Sequence, residues 1–109
     1  MDVKREYIVC AANWYYGDPD ARIYYNHQPS NIKYGYVICG FRHNNCIQTK
    51  YLLSGLKIHD GRNLISGFLT SKNRFVDRKE AYEIADSQNQ IVHKSGNLNE
   101  RILYSEDIY

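Results

Sequence analysis

The sequence predicts an α+β domain: one antiparallel or mixed sheet carrying two helices, spanning all of residues 1–109. Three features carry that expectation. Short β-branched and aromatic runs, bounded by Gly, Pro, Asp and Asn, recur as strands do. Two stretches place apolar residues at three- and four-residue spacing, as one face of a helix does. A length of 109 residues suffices for one compact domain and not for two.

Tyr7 to Tyr16 is β-branched and aromatic at both ends and reads as the first strand. Gly17-Asp18-Pro19-Asp20 is turn chemistry, and the polar, tyrosine-rich residues 21–34 read as a long surface loop with Pro29-Ser30-Asn31 as a second breaker. Gly35 to Phe41 is a nearly continuous apolar run between glycines, the pattern of a buried central strand. Cys46, Thr49, Leu52, Leu53 and Leu56 then fall on one helical face, with Asn44 or Asn45 as N-cap and Gly55 near the end. After an Asp60-Gly61 turn, Asn63 to Thr70 reads as a strand, with Gly67 marking a bulge. Ser71 to Val76 reads as a polar loop. Asp77 with Glu80 three positions later is a capping box, opening a helix from Asp77 to about Ser87 with Ala81, Ile84 and Ala85 inward. Ile91-Val92 suits a short strand, His93 to Glu100 a loop, and Arg101 to Tyr109 is amphipathic without a clear period.

Composition removes several classes of function. Lys and Arg number 14 against 12 Asp and Glu, for a charge of +2, which is too balanced for coating duplex nucleic acid. No apolar run approaches the ~20 residues that span a bilayer, and no secretory apolar segment follows Met1. Three cysteines are an odd and sparse set, so the expectation is a reduced cytoplasmic protein with free thiols. Val, Ile, Leu and Phe supply 26 residues, and 11 tyrosines must supplement them. Tyrosine hydroxyls need partners when buried. Such a core predicts an oligomer that completes its core, or its site, across a subunit contact.

Candidate chemistry lies in five places. Cys39, His43 and Cys46 (with His59 as a fourth) are zinc-compatible ligands, but the Cys-x3-His-x2-Cys spacing matches no standard finger, and buried free thiols with Cys39 pointing into the sheet are the plainer explanation. Cys46 beside His43 resembles a nucleophile and base, without a third residue to orient the base or an oxyanion hole. Arg42-His43-Asn44-Asn45 follows a strand and opens a helix, where free amides and an arginine fork suit phosphate; a cap with a surface arginine explains it equally well. Lys72, Arg74, Arg78 and Lys79 surround Phe75 and the Asp77 cap, a set that suits a ligand with both phosphate and base; a solvated helix start with Phe75 anchoring the loop is the alternative. Arg101, Tyr104, Glu106, Asp107 and Tyr109 close the chain, and a carboxylate there can accept from ribose hydroxyls, or the tail is simply solvated. No Walker motif, Gly-rich dinucleotide fingerprint or catalytic carboxylate pair is present. On these grounds the chain is a binder of a small phosphorylated, base-containing ligand, with no catalytic residue, metal or cofactor.

Three segments together resemble the type 1 Thoeris anti-defence proteins, a family of small bacteriophage proteins: Val37-Ile-Cys-Gly-Phe-Arg-His43, Gly67-Phe-Leu-Thr-Ser-Lys-Asn-Arg-Phe-Val-Asp-Arg-Lys-Glu-Ala81, and Leu103-Tyr-Ser-Glu-Asp-Ile-Tyr109. The resemblance runs from about Tyr7 to the end. It implies a sponge rather than an enzyme. Members bind glycocyclic ADP-ribose, made by TIR-domain sensors, and keep it from the NADase effector in the cytoplasm of the infected host. It also implies a homo-oligomer, a hexamer in some members, with nucleotide sites at subunit contacts. Some members also bind the cyclic oligonucleotide signals of CBASS. Phe75 corresponds to the family's stacking aromatic, and Arg101 and Asp107 to its ligand-binding Arg and Asp. Arg42 and His43 match the Cys-Gly-x-Arg-His motif, and Phe41 stands where the family often has His. Arg42, Arg74 or Arg101 would take the phosphates, Phe75 the adenine and Asp107 a hydroxyl. The rival functions are a sponge for cyclic di- or trinucleotides, a hydrolase of the signal, and a protein–protein inhibitor of a host sensor using the tyrosine-rich 14–36 stretch.

Overall fold

A computed structural model describes residues 5–17, 28–53, 64–94 and 100–109. The elements run β1 (Ile8–Tyr15), β2 (Tyr36–Gly40), α1 (His43–Leu53), β3 (Leu64–Thr70), β4 (Phe75–Asp77) and α2 (Arg78–Ser87), then a 3-10 turn at Ser105–Asp107. The strands form one sheet in the order β2-β1-β3-β4, and every neighbouring pair is antiparallel. The fold is therefore α+β with a fully antiparallel sheet. β2 and β3 flank β1 and run the same way, so the chain crosses β1 between them by way of α1.

Side-chain alternation sorts the sheet into two faces. Ile8, Ala11 and Tyr15 of β1, Ile38 of β2, Phe68 of β3 and Val76 of β4 pack with Cys46 of α1 and with Ala81 and Ala85 of α2. Both helices thus cover one face, and Leu103 from the C-terminal segment joins that core. Asn13 brings a carboxamide into the same layer. It is fully buried, and neither of its polar atoms makes a hydrogen bond of standard geometry among the described residues. The opposite face holds a smaller cluster of Ala12, Ile32 and Phe75, flanked by Trp14, Val37 and Leu69.

Glycine decides how closely the layers approach. Gly67 pairs in register with Ala12 and Asp77, so it is not the predicted bulge; the irregularity lies in β1, between Ile8 and Cys10. Gly67 serves close approach instead: a Cβ there would land on the Val76 carbonyl oxygen and 2.7 Å from the Phe75 ring. Gly35 has a φ of +68°, which an L side chain rarely adopts, at the entry to β2.

The segment read as a polar loop contains β4. A turn built on Thr70 produces this three-residue edge strand. Thr70 N–H donates to the Arg74 carbonyl (2.9 Å), Thr70 Oγ1 accepts from the Lys72 and Arg74 amides (3.3 Å each), and Asn73 takes a φ of +57°. The far side of β4 is met by a side chain acting as a strand: Asn31 Nδ2 donates to Phe75 O (2.7 Å) and Asn31 Oδ1 accepts from Phe75 N (2.8 Å). Residues 28–34 therefore run over the surface as read, with Ser30, Asn31, Lys33 and Tyr34 exposed, but are anchored on the sheet by the buried Ile32 and by Asn31. Residues 18–20 of the predicted turn, residues 21–27 of that predicted loop, and Gly55, His59 and Asp60-Gly61 lie outside the described residues.

The helix starts follow the sequence in part. Asp77 caps α2 by accepting from Glu80 N (2.8 Å), while the Glu80 carboxylate turns to Arg74 instead of closing the capping box. α1 begins at His43, and Asn45 bonds back to the Arg42 amide (2.8 Å) rather than sitting at the cap itself. Ile91-Val92 is not a strand; the Val92 and His93 amides both donate to the Asp107 carbonyl. No helix among the described residues is long and apolar enough to cross a membrane.

Candidate functional site

The chain's last residues fold back between the starts of the two helices. Leu103 N donates to Arg78 O (3.0 Å), and Arg78 Nη1 donates to Leu103 O (2.9 Å), so the C-terminal segment is stitched to the first residue of α2. Asp107 then locks the turn. It is fully buried, accepts from Tyr104 N at Oδ2 (2.9 Å), and lies 4.0 Å from Lys94 Nζ. The predicted ribose-binding carboxylate is thus turned inward, where it positions the turn.

On this frame the cations and aromatic rings interleave. The Arg78 guanidinium lies over the Tyr104 ring at 5.1 Å. Lys94 lies 5.7 Å from both the Tyr82 and Tyr104 rings, and Arg101 lies 4.8 Å over the other partner, Tyr82. At the far end of the turn, Arg42 lies over Phe41 (4.5 Å) and Tyr109 (5.0 Å), whose rings stack at 4.5 Å. Arg42 Nη2 donates to Tyr109 O (2.7 Å), and the Tyr109 hydroxyl donates to Phe41 O (2.6 Å). Arg42 Nη1 is buried and has no hydrogen-bond partner among the described residues. That leaves a guanidinium with spare donor capacity, held flat by aromatic rings, beside the start of a helix without an acidic residue in its first turn.

His43 joins the two ends. Its Nε2 lies 2.8 Å from Gly67 O and its ring meets Phe68 edge-on, and it feels the charges of both Arg78 and Glu106. Burial dominates and lowers the imidazole below its ordinary 6.5. The neutral ring then donates Nε2–H to the carbonyl. An unfolded chain binds this proton more readily than the folded one, so stability should be complete above 6.5 and fall as pH drops below it. Urea unfolding at about pH 7.5 and about pH 5.5 checks this. The midpoint should drop at the lower pH and drop less in His43→Gln; a rise would contradict the assignment.

Four of the six sequence-predicted site residues thus converge on the C-terminal turn: Arg42, His43, Arg101 and Asp107. Arg74 and Phe75 do not. Arg74 is engaged by Glu6, through Nε (2.8 Å) and Nη2 (3.0 Å), and by Glu80 (2.8 Å). Those carboxylates raise its pKa further, so its fork is occupied within the protein. Phe75 is 7% exposed, with its ring 5.9 Å from Trp14 on the sheet's other face, and offers no open surface to a base. Arg101 also pairs with Glu83 (2.8 Å), an exposed contact of small energetic weight. Lys94 and Tyr82 were not singled out by sequence, and Phe41 was noted only as standing where the resembling family often has His. Lys94 and Tyr82 stand alone in polar surroundings, and only folding brings them together.

The cysteine and histidine sets do not assemble. Cys46 is buried on the inner face of α1, whereas Cys39 is exposed on the opposite face of the sheet instead of pointing into the core. Among the described residues no group of three His, Cys, Asp or Glu can hold a metal. Burial pushes the Cys46 thiol up to about 11, and it donates to carbonyls of Arg42 and Ala11, the opposite of an activated nucleophile.

Comparison with known families matches residues 7–109 to the phage T4 y16D protein. The chain belongs to this phage protein family. The matched span takes in every described element, from β1 to the C-terminal turn. No curated protein and no solved structure matches.

Proposed function

We propose that this y16D-family protein is a phage anti-defence sponge that binds glycocyclic ADP-ribose in the cytoplasm of the infected host and withholds it from its effector without cleaving it. One observation carries the proposal: Arg42, Arg78 and Lys94 interleave with Phe41, Tyr82, Tyr104 and Tyr109 around a turn locked by a buried Asp107. A cyclic ADP-ribose carries two phosphates and a purine. Guanidinium forks suit the phosphates and open rings suit the purine. Arg42, by turning its buried and unengaged Nη1 outward, takes a phosphate; Phe41, 60% exposed and backed by Tyr109, takes the base in place of the buried Phe75. The resemblance in the Cys39-Gly40-Phe41-Arg42-His43 and C-terminal segments supports the same ligand. A second copy of the chain, in a hexamer or smaller homo-oligomer, would close over the exposed Phe41 ring and slow release. Withholding a micromolar signal requires nanomolar affinity, about 12 kcal/mol of binding.

Trap and release tests this. Protein is incubated with a TIR-enzyme filtrate and removed, and the filtrate is assayed on the NADase effector. The protein is then denatured and its released ligand assayed. Signal lost and then recovered intact is expected. Signal lost and never recovered would indicate a hydrolase. Signal never lost would remove the proposal and leave cyclic oligonucleotides or a host protein as the target.

A further inference from the structure

Two of the three cysteines form a pair outside this cluster. Cys39 stands opposite Ala12 in the β1–β2 ladder, and Cys10 lies two residues before Ala12 on the same face of β1. The two thiols are diagonal neighbours on the sheet's outer face, close enough for each to shift the other's proton affinity. Cys39 is exposed and Cys10 half-buried, so a small reagent reaches the pair from solvent. Cys46 lies behind the sheet.

We propose that Cys10 and Cys39 are an oxidation site, converted by a hydroperoxide into a cross-strand disulfide that ties β1 to the edge strand β2. The chemistry has two steps. The Cys10 thiolate attacks a peroxide oxygen; an S–O bond forms, the O–O bond breaks, and the leaving oxyanion takes a proton. Cys39 Sγ then attacks the sulfur of the Cys10 sulfenic acid; the S–S bond forms, the S–O bond breaks, and hydroxide leaves as water with the Cys39 proton. The two thiols lose two electrons, and the hydroperoxide, gaining them, becomes an alcohol, or water from hydrogen peroxide, while the second oxygen leaves as water.

The surroundings divide these roles. The Cys39 thiol and the Gly40 amide lower the Cys10 thiol below its ordinary value, so Cys10 supplies the thiolate. Cys39 is pushed up by the neighbouring Cys10, and keeps its proton while Cys10 is charged. A sulfenic acid at Cys10 removes that charge and frees Cys39 to resolve it. A diagonal pair stands about 7–8 Å apart between Cα atoms, just beyond ordinary disulfide reach, so the two strands must draw together as the bond forms. The register shift between Ile8 and Cys10 leaves β1 locally unlocked from β3, at the end that must move. Cys39 precedes Gly40-Phe41-Arg42 in the chain, so the bridge would brace the strand that leads into the Arg42 cluster. The site stands whether or not that cluster binds a nucleotide.

The test treats the full reduced chain with hydrogen peroxide, blocks free thiols, and maps peptides without reduction. The expected product has lost about 2 Da and carries a Cys10–Cys39 linked peptide, with Cys46 blocked only after unfolding. Cys39→Ser should accumulate a dimedone-reactive Cys10, and Cys10→Ser should show neither product. A disulfide between copies through Cys39, oxidation of Cys46 first, sulfinic acid at Cys10 beside an intact Cys39, or no reaction at all would each overturn the proposal.

Discussion

Asp107→Ala should lower stability by about 3 kcal/mol and abolish nucleotide binding in the same variant. The carboxylate is fully buried, accepts the Tyr104 amide and faces Lys94, whose side chain is 14% exposed. Removing it leaves a nearly buried ammonium with only the Ile102 carbonyl and two rings, and a backbone donor without its acceptor, both costly in a low-dielectric setting. The same residue's carbonyl accepts from Val92 and His93, so loosening the turn also frees the 91–94 segment that carries Lys94. Asp107→Asn separates the contributions. It keeps an acceptor for Tyr104 but loses the charge toward Lys94, so it should fall between wild type and Ala. Urea unfolding with parallel ligand titration checks both. A variant of wild-type stability would mean that the carboxylate does not hold the turn.

Gly67→Ala should cost about 2–3 kcal/mol, although it adds a single methyl group. The new Cβ would collide with the Val76 carbonyl oxygen and approach the Phe75 ring to 2.7 Å. Both neighbours belong to β4, which has only three residues and cannot yield at one without shifting all. That shift would also disturb the Gly67 carbonyl that receives His43. Gly40→Ala is the control. Its Cβ would meet Asn45 Cβ at 3.0 Å and Cys46 at 3.3 Å, contacts that a few tenths of an ångström relieve. Gly40→Ala should therefore be the milder of the two by denaturation midpoint. Equal losses would contradict the close-approach account of Gly67.

Elements whose signals are local were legible in the sequence. Ile8–Tyr15, Tyr36–Gly40 and Leu64–Thr70 declare themselves by β-branched and aromatic runs, and α2 by Asp77. β4 was not, because a three-residue strand has no period to detect; a Thr70 turn and an Asn31 side chain define it, the latter from 44 residues away in the chain. Phe75 shows how the same obscurity affects the site. Read in a polar loop, it is an available aromatic; placed in β4, it is core. Arg74 likewise reads as a free cation until Glu6 folds onto it. Arg42, His43 and the C-terminal segment were legible as chemistry but not as neighbours. The Leu103 to Arg78 stitching and the Asp107 lock that unite them span distant parts of the chain.

The most direct test of the central claim, that the interleaved cations and rings at the C-terminal turn bind a nucleotide phosphate, is calorimetric titration of glycocyclic ADP-ribose into wild type, Arg42→Ala and Arg74→Ala. The account predicts nanomolar binding to wild type, a loss of at least about tenfold in Arg42→Ala, and wild-type affinity in Arg74→Ala, whose fork serves Glu6 and Glu80. Unchanged affinity in a folded Arg42→Ala, with binding lost in Arg74→Ala, would contradict it and move the site to the β3–β4 turn.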